Sequence, residues 1–461
     1  MGPTTADETA LRAAFREARS GFFHVGIFSF FLNLLMLVSP IYMMQVFDRV
    51  LASGRVETLI LLTVIAGFAV LVLGILDTVR KRVLTRISTW LDHRLSAQLI
   101  ASSVTGQLRG LSLGSEPLRD LGSIRNFVNG QGIFPLFDAP WVPIFVLVIW
   151  AMHPYLGALA LVSAIILFGI AVANEFVSRG PLKRASQVQV NAFNQADSAI
   201  RNADVVQAMG MLPPLLKRWD NQNEKALSEQ QVAADRAGSL GGASKFIRMF
   251  VQIGILGIGA YLVLQGELTG GGMIAASILL GRALAPVEQA IGGWKGFLTA
   301  RQSFNKLEKI LNSLPKPPDS MPLPMPAGHL SVDRVSFIPP KSEKPILKNV
   351  SFELEPGEAL GVIGPSAAGK STLCRLLVGT WRPSNGHVRL DAADMWAWNP
   401  NDLGQHIGYL PQDVELFAGT VRDNISRMRE ASSDEIVSTA ALAGVHELIL
   451  HLPQGYETEI G

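Results

Sequence analysis

The sequence predicts a multidomain membrane protein, a six-helix α transmembrane bundle fused to a C-terminal α/β domain that carries a phosphate loop. Three observations predict it. The chain has 461 residues, beyond the size at which one hydrophobic core keeps growing, so two or three domains are expected. It is 48% hydrophobic and 17% charged, whereas soluble domains carry about 25% charged residues, so the apolar excess belongs in a bilayer. Finally, "ALGVIGPSAAGKSTLCRLL" at 359–377 has the spacing of a loop that cradles nucleotide phosphates.

The spans come first along the chain. Residues 22–46 and 57–79 are nearly uncharged runs close to the ~20 residues that cross hydrocarbon. The first run is too long for a signal peptide and lacks a small-residue cleavage site. From Ile133 to Phe176 the apolar run is about twice that length, and "AMHPYLG" breaks it into spans at 133–152 and 156–176. A fifth span covers 246–265, the Gly-rich turn "QGELTGGG" follows, and a sixth covers 273–291.

Basic residues orient these spans. The segment between spans two and three holds Arg80, Lys81, Arg82, Arg86 and four further arginines, whereas the 3–4 and 5–6 turns hold neither Lys nor Arg. The long connections and both termini, including segment 1–20, therefore face the cytoplasm. Residues 81–110 and 182–240 contain few Gly or Pro, so each excursion is expected to be a pair of helices leaving the membrane. Their bottoms are placed at Leu111–Arg125 and Ala203–Pro214.

Polar residues within spans are costly and raise functional questions. Asp138, Arg282 and Glu288 either close helix contacts or span ends, or they meet a transported substrate. Asp48 and Arg49 are expected to cap an external turn. The net charge of +2 gives no reason to invoke nucleic acid. The single cysteine, Cys374, excludes an intrachain disulfide and is expected to be a small buried hydrophobe.

Six prolines in "NSLPKPPDSMPLPMPAGHL" mark a linker at 312–329, so the domains are 21–311 and 330–461. Strands are predicted at 330–337 and 346–354, then a buried apolar strand at 359–363. The loop consists of Gly364, Pro365, Ser366, Ala367, Ala368 and Gly369, its glycines standing where backbone N–H groups must turn toward phosphate oxygens, and a helix start follows. Lys370 reaches the β- and γ-phosphates, Ser371 offers its hydroxyl to Mg²⁺, and Thr372 bonds a phosphate oxygen. Further on, "GHVRLDAADM" reads as a hairpin and "HIGYLPQ" as a strand ending at Pro411-Gln412.

Taken with the six spans, the phosphate loop and "GYLPQDVELFAGTVRDNI" resemble an ABC exporter half-transporter over essentially the whole chain. "SPIYMMQVFDRVLASGRVETL", "LFDAPWVPIF", "VVQAMGM" and "AASILLGRALAPVEQAIGGWK" are similar to type I secretion exporters, and the absence of an N-terminal peptidase-like domain favours the protease and lipase branch. The resemblance implies a homodimer that binds ATP and Mg²⁺ and exports unfolded proteins across the inner membrane. It also implies a periplasmic adaptor protein and an outer-membrane channel as partners. Gln412 is then the residue that senses the γ-phosphate and joins Ser371 at the metal, and the two loop bottoms are coupling helices. A lipid or peptide exporter and an inactive nucleotide-binding scaffold are the alternatives.

Two departures from the family pattern stand out. Pro339 replaces the aromatic residue that stacks on adenine, leaving Phe337 and Ile338 as the nearest substitutes. The family's LSGGQ signature, Mg²⁺ aspartate, catalytic glutamate and switch histidine fall beyond Gly461. The sequence is therefore read as truncated, the first part of a longer exporter rather than an inactive remnant, and no catalytic residue is assigned.

Overall fold

The computed structural model describes residues 10–111, 113–313, 323–339, 342–412 and 414–460. It divides into two compact units, Met1–Pro315 and Lys316–Gly461. Part of the proline-rich stretch, 314–322, lies outside the described residues, as do residues 1–9.

The first unit is helical throughout. Helix α1 (Ala10–Glu17) leads into α2 (Arg19–Leu35), α3 (Val38–Gln45), a π-turn at Val46–Val50 and α4 (Leu51–Ser53). Span one is thus broken, because Pro40 has no N–H to give to the preceding turn and its ring crowds the carbonyl four residues back. Next come α5 (Val56–Leu108), α6 (Glu116–Asn129), α7 (Phe134–Asp138) and α8 (Val142–Met152). The long helices α9 (Pro154–Arg201) and α11 (Leu212–Leu264) flank the short α10 (Ala203–Ala208), and α12 (Gly270–Ser313) closes the unit. Among the described residues, six helical stretches are long and apolar enough to cross a membrane.

At 53 residues, α5 is about 80 Å long, so most of it continues beyond a hydrocarbon layer of about 30 Å. This matches the predicted helical excursions. The first bottom differs from expectation, since α5 runs to Leu108 and the returning helix α6 already begins at Glu116. Pro117 at the first helical turn starts α6, and its Leu121, Ile124 and Val128 are buried with Leu91, Leu95 and Leu99 of α5. Residues 203–208 of the second bottom form α10.

The break at "AMHPYLG" is a tight corner. His153 is extended (φ −162°, ψ 133°), Pro154 opens α9, and Gly157 packs so closely on α8 that a Cβ there would sit 2.6 Å from Trp150 Cα. Only glycine fits that approach.

The second unit is built on a four-stranded antiparallel sheet in the order β2-β1-β3-β4, comprising β1 (Leu330–Phe337), β2 (Leu347–Leu354), β3 (Asn385–Leu390) and β4 (Ala393–Asp394). Val332 faces Phe352 across one ladder and Val388 across the other. Helix α13 (Lys370–Leu377) lays Leu373 and Leu376 into the same core as Val335, Phe337, Leu347 and Trp398. The predicted hairpin is present, its turn made by Asp391 and Ala392 with φ of 49° and 68°. Beyond it lie α14 (Pro400–His406), β5 (Gly419–Thr420), α15 (Val421–Ile425), α16 (Ser433–Leu442), α17 (His446–Leu450) and β6 (Glu459–Ile460). Strands β5 and β6 pair with each other.

Two predicted strands are not formed. Residues 359–363 and 407–411 carry no ladder, and Ile363 is 95% and Leu410 82% exposed. Both edges of β1 are already taken by β2 and β3, so neither apolar segment finds a strand edge there. Cys374 is also exposed rather than buried. Its position on α13 is rotated about 100° from Leu373, off the face that packs on the sheet.

Candidate phosphate-binding site

The loop between residue 363 and α13 is shaped by its backbone. Gly364 has φ 157°, Ala367 is left-handed at 66°, and Gly369 is left-handed at 94°. A Cβ on Gly369 would stand 2.9 Å from Leu347 Cδ2 and 3.0 Å from Ile346 Cγ2, so both conformation and space demand glycine. One turn bond, from the Ala368 N–H to the Pro365 carbonyl at 3.2 Å, closes the loop.

Gly369 precedes α13 without any side-chain cap. The first helical bond runs from the Leu373 N–H to the Gly369 carbonyl at 2.9 Å, which leaves the earlier N–H groups of the turn open to an acceptor from outside. Together with the helix dipole they suit an anion. The Lys370 ammonium is held at the loop, donating to the carbonyls of Gly364 at 2.8 Å and Pro365 at 2.9 Å. Ser371 is exposed with no hydrogen-bond partner among the described residues, and Thr372 is half-buried beside it.

The structure brings residues 364–372 together as one cradle. Gln412 is exposed, and no hydrogen bond among the described residues joins it to that cradle. Phe337 is unavailable for stacking on a base, because it is 5% exposed and lies against the Trp381 ring with centroids 5.1 Å apart. Arg375 covers that tryptophan at 4.7 Å. Ile338 is 41% exposed. Ile346, which sequence reasoning missed, is 42% exposed and adjoins Gly369, so it adds a second aliphatic surface beside the loop. Its signal was the apolar residue immediately ahead of β2.

The polar residues of the spans are mostly consumed by one another. Asp138 accepts from Arg80 at 2.9 Å and from Asn33 at 3.1 Å. Arg80 also donates to Asp77 at 2.9 Å and to Ser29 at 3.0 Å, and lies 4.4 Å from the Phe134 ring centre. Four polar side chains from three spans thus gather around an arginine whose side chain is 7% exposed and whose Nε alone lacks an acceptor. Glu288 does not end its helix, which runs on to Ser313, and it pairs with Arg248 at 2.8 Å. Asp48 caps a turn as expected, but a distant one, accepting from the Thr269 hydroxyl at 2.6 Å and the Gly271 N–H at 2.8 Å. Arg282 is exposed.

The family models for the ABC transporter and the ABC transporter transmembrane region match residues 347–456 and 22–285. The chain is 41% identical to the type I secretion system ATP-binding protein PrsD of Rhizobium meliloti, covering 97% of this chain and 78% of that one. The chain belongs to the ABC transporter family, among the type I secretion ATP-binding proteins. A further ABC relative, the cyclolysin secretion/processing ATP-binding protein CyaB of Bordetella pertussis, is 30% identical, and the match spans 94% of this chain and 62% of CyaB. A bacterial Atm1-family ABC exporter solved with ATP bound shares the fold, with a TM-score of 0.81 at 20% identity over 96% of this chain and 80% of that one. As an ABC transporter, the chain is a multi-pass membrane protein whose nucleotide-binding domain is cytoplasmic and binds ATP.

Proposed function

We propose that this chain is the energised inner-membrane component of a type I secretion system, moving unfolded secreted proteins of the protease and lipase kind outward at the expense of ATP. The observation that carries the reading is the union in one chain of six membrane-crossing helices with a phosphate loop whose turn donors are open. The relationship to PrsD supplies the secretion assignment.

In this reading the chain works as a homodimer with a periplasmic adaptor and an outer-membrane channel. Residues 364–372 hold the nucleotide phosphates through the backbone N–H groups left open in the loop and the first turn of α13, with the Lys370 ammonium. Ser371 and Gln412 hold the metal, and an exposed serine hydroxyl without an internal partner fits that task. Magnesium bound there neutralises phosphate charge. The adenine lies on the aliphatic surface of Ile338 and Ile346, since Pro339 offers no aromatic face.

Co-expression with an adaptor, an outer-membrane channel and a candidate secreted protease tests the reading. Protease is expected in the medium with wild-type chain and not with Lys370→Ala at equal membrane abundance. Failure of every cargo and channel pairing, while MgATP binding persists, would overturn the secretion assignment.

A further inference from the structure

The outer surfaces of the spans differ in kind. On α5 the exposed residues are large and apolar, among them Leu61, Val64, Phe68, Leu71 and Ile75, the composition that lipid tails cover. Helix α12 has no such surface, and among the large exposed apolar side chains of the described residues none comes from it. Between Gly271 and Ile291, the two exposed residues are Arg282 and Gln289. They are seven positions apart and so share one face, about 10 Å from each other along the axis.

Arg282 stands about 18 Å along α12 from Gly270, the end that Asp48 fastens, and therefore near the middle of a hydrocarbon layer. It has no ion-pair or hydrogen-bond partner among the described residues. The acids of the spans are at another depth or already engaged: Asp48, Glu57 and Glu267 belong to the outer end, Asp77 and Asp138 are engaged by Arg80, and Glu288, about 9 Å further along α12, by Arg248. An unpaired guanidinium at that depth is not left in lipid. We infer that Arg282, with Gln289 on the same face, lines a water-filled path through the bundle and attracts carboxylate-bearing segments of the polypeptide that passes, making it a specificity-determining residue for acidic cargo. The inference rests on the reading of the chain as a polypeptide exporter.

The test uses the whole chain in nanodiscs, with Cys374→Ser removing the one native thiol. Gln289→Cys is labelled with anionic and cationic membrane-impermeant methanethiosulfonates, each rate taken relative to a free thiol, and Phe68→Cys serves as the lipid-facing control. The anionic reagent is expected to win by about tenfold with Arg282 present, and the preference is expected to vanish with Arg282→Gln and return with Arg282→Lys. A thiol introduced at position 289 that reacts without charge preference overturns the role of Arg282. If that thiol is as inert as the one introduced at position 68, or joins a second copy by oxidation without labelling, the face is a lipid or partner contact and the water-filled path is overturned.

A second readout is binding of a fluorescent unfolded Glu/Gly/Ser peptide against its Gln/Gly/Ser counterpart. The acidic peptide is expected to bind more tightly, and Arg282→Gln to abolish the difference while leaving MgATP binding intact. Equal binding of both peptides by the wild type overturns the specificity. Labelling needs no transport, so it decides the fate of Arg282 even where every secretion pairing fails.

Discussion

The Arg80 cluster and the phosphate loop are both concentrations of hydrogen-bonding groups, yet they are opposites in what they leave open. Around Arg80 both terminal nitrogens are matched by Asp77, Asp138 and Ser29 inside the helical unit, and only the buried Nε is left without an acceptor, so the cluster fastens three spans. In the loop, left-handed backbone at Ala367 and Gly369 leads into a helix turn whose first N–H groups have no internal acceptor. A charged group in a bilayer therefore does not by itself mark a substrate site, and the more informative question is whether its partners are already present.

The comparison breaks first at Arg80. Replacing Arg80 by Ala leaves the half-buried Asp138 without its cation, while Asp77 keeps Lys81, and is expected to destabilise the helical unit by about 3 kcal/mol, with MgATP affinity unchanged. Adding Asp138→Asn should recover part of the loss. Unfolding in micelles monitored by circular dichroism checks both, and a wild-type midpoint in the single variant would contradict the structural role.

Gly369→Ala strains a left-handed residue by about 1–3 kcal/mol and pushes against Leu347, so the loop should lose MgATP affinity while the helical unit keeps its stability. Isothermal calorimetry reads the first effect and micellar unfolding the second. Asp48→Ala removes a cap from the start of α12 and is expected to cost about 1 kcal/mol, confined to the outer end. Faster hydrogen exchange at Gly271 and Gly272, without change at Arg80, would show it.

The smallest effect is electrostatic. Asp423 is held below the usual carboxylate range by the Thr420 N–H and hydroxyl, and Glu435 likewise by those of Ser432. Groups with depressed folded values stabilise above their unfolded values, and that stability is lost as pH falls through the folded ones. The nucleotide unit should thus weaken below about pH 4, and less steeply in Asp423→Asn/Glu435→Gln. Melting temperatures across that pH range measure the slope.

The loop was legible in the sequence because its chemistry is local: nine consecutive residues, 364–372, set turn, helix start and ammonium together. The Arg80 cluster was not, since residues 29, 33, 77, 80 and 138 meet only through the packing of three spans. Asp138 stands out in the sequence as a costly polar residue within a span, closing a helix contact or meeting a substrate, but nothing in its neighbourhood names Arg80. The apolar runs at 359–363 and 407–411 misled for a related reason, because a strand is defined by its ladder and the edges of β1 were already filled by β2 and β3. Cys374 shows the limit within one element: the helix was clear, yet which face met the sheet depended on Leu373 and Leu376 finding Val335 and Leu347.

The central claim is that the loop's open donors and Lys370 form the nucleotide site that drives transport, and MgATP titration of the nanodisc-embedded protein tests it most directly. The account predicts saturable binding by wild type, retained binding by Arg80→Ala, and binding reduced by roughly two orders of magnitude in Lys370→Ala, whose ammonium meets the phosphates directly. Equal affinity in wild type and Lys370→Ala would contradict it.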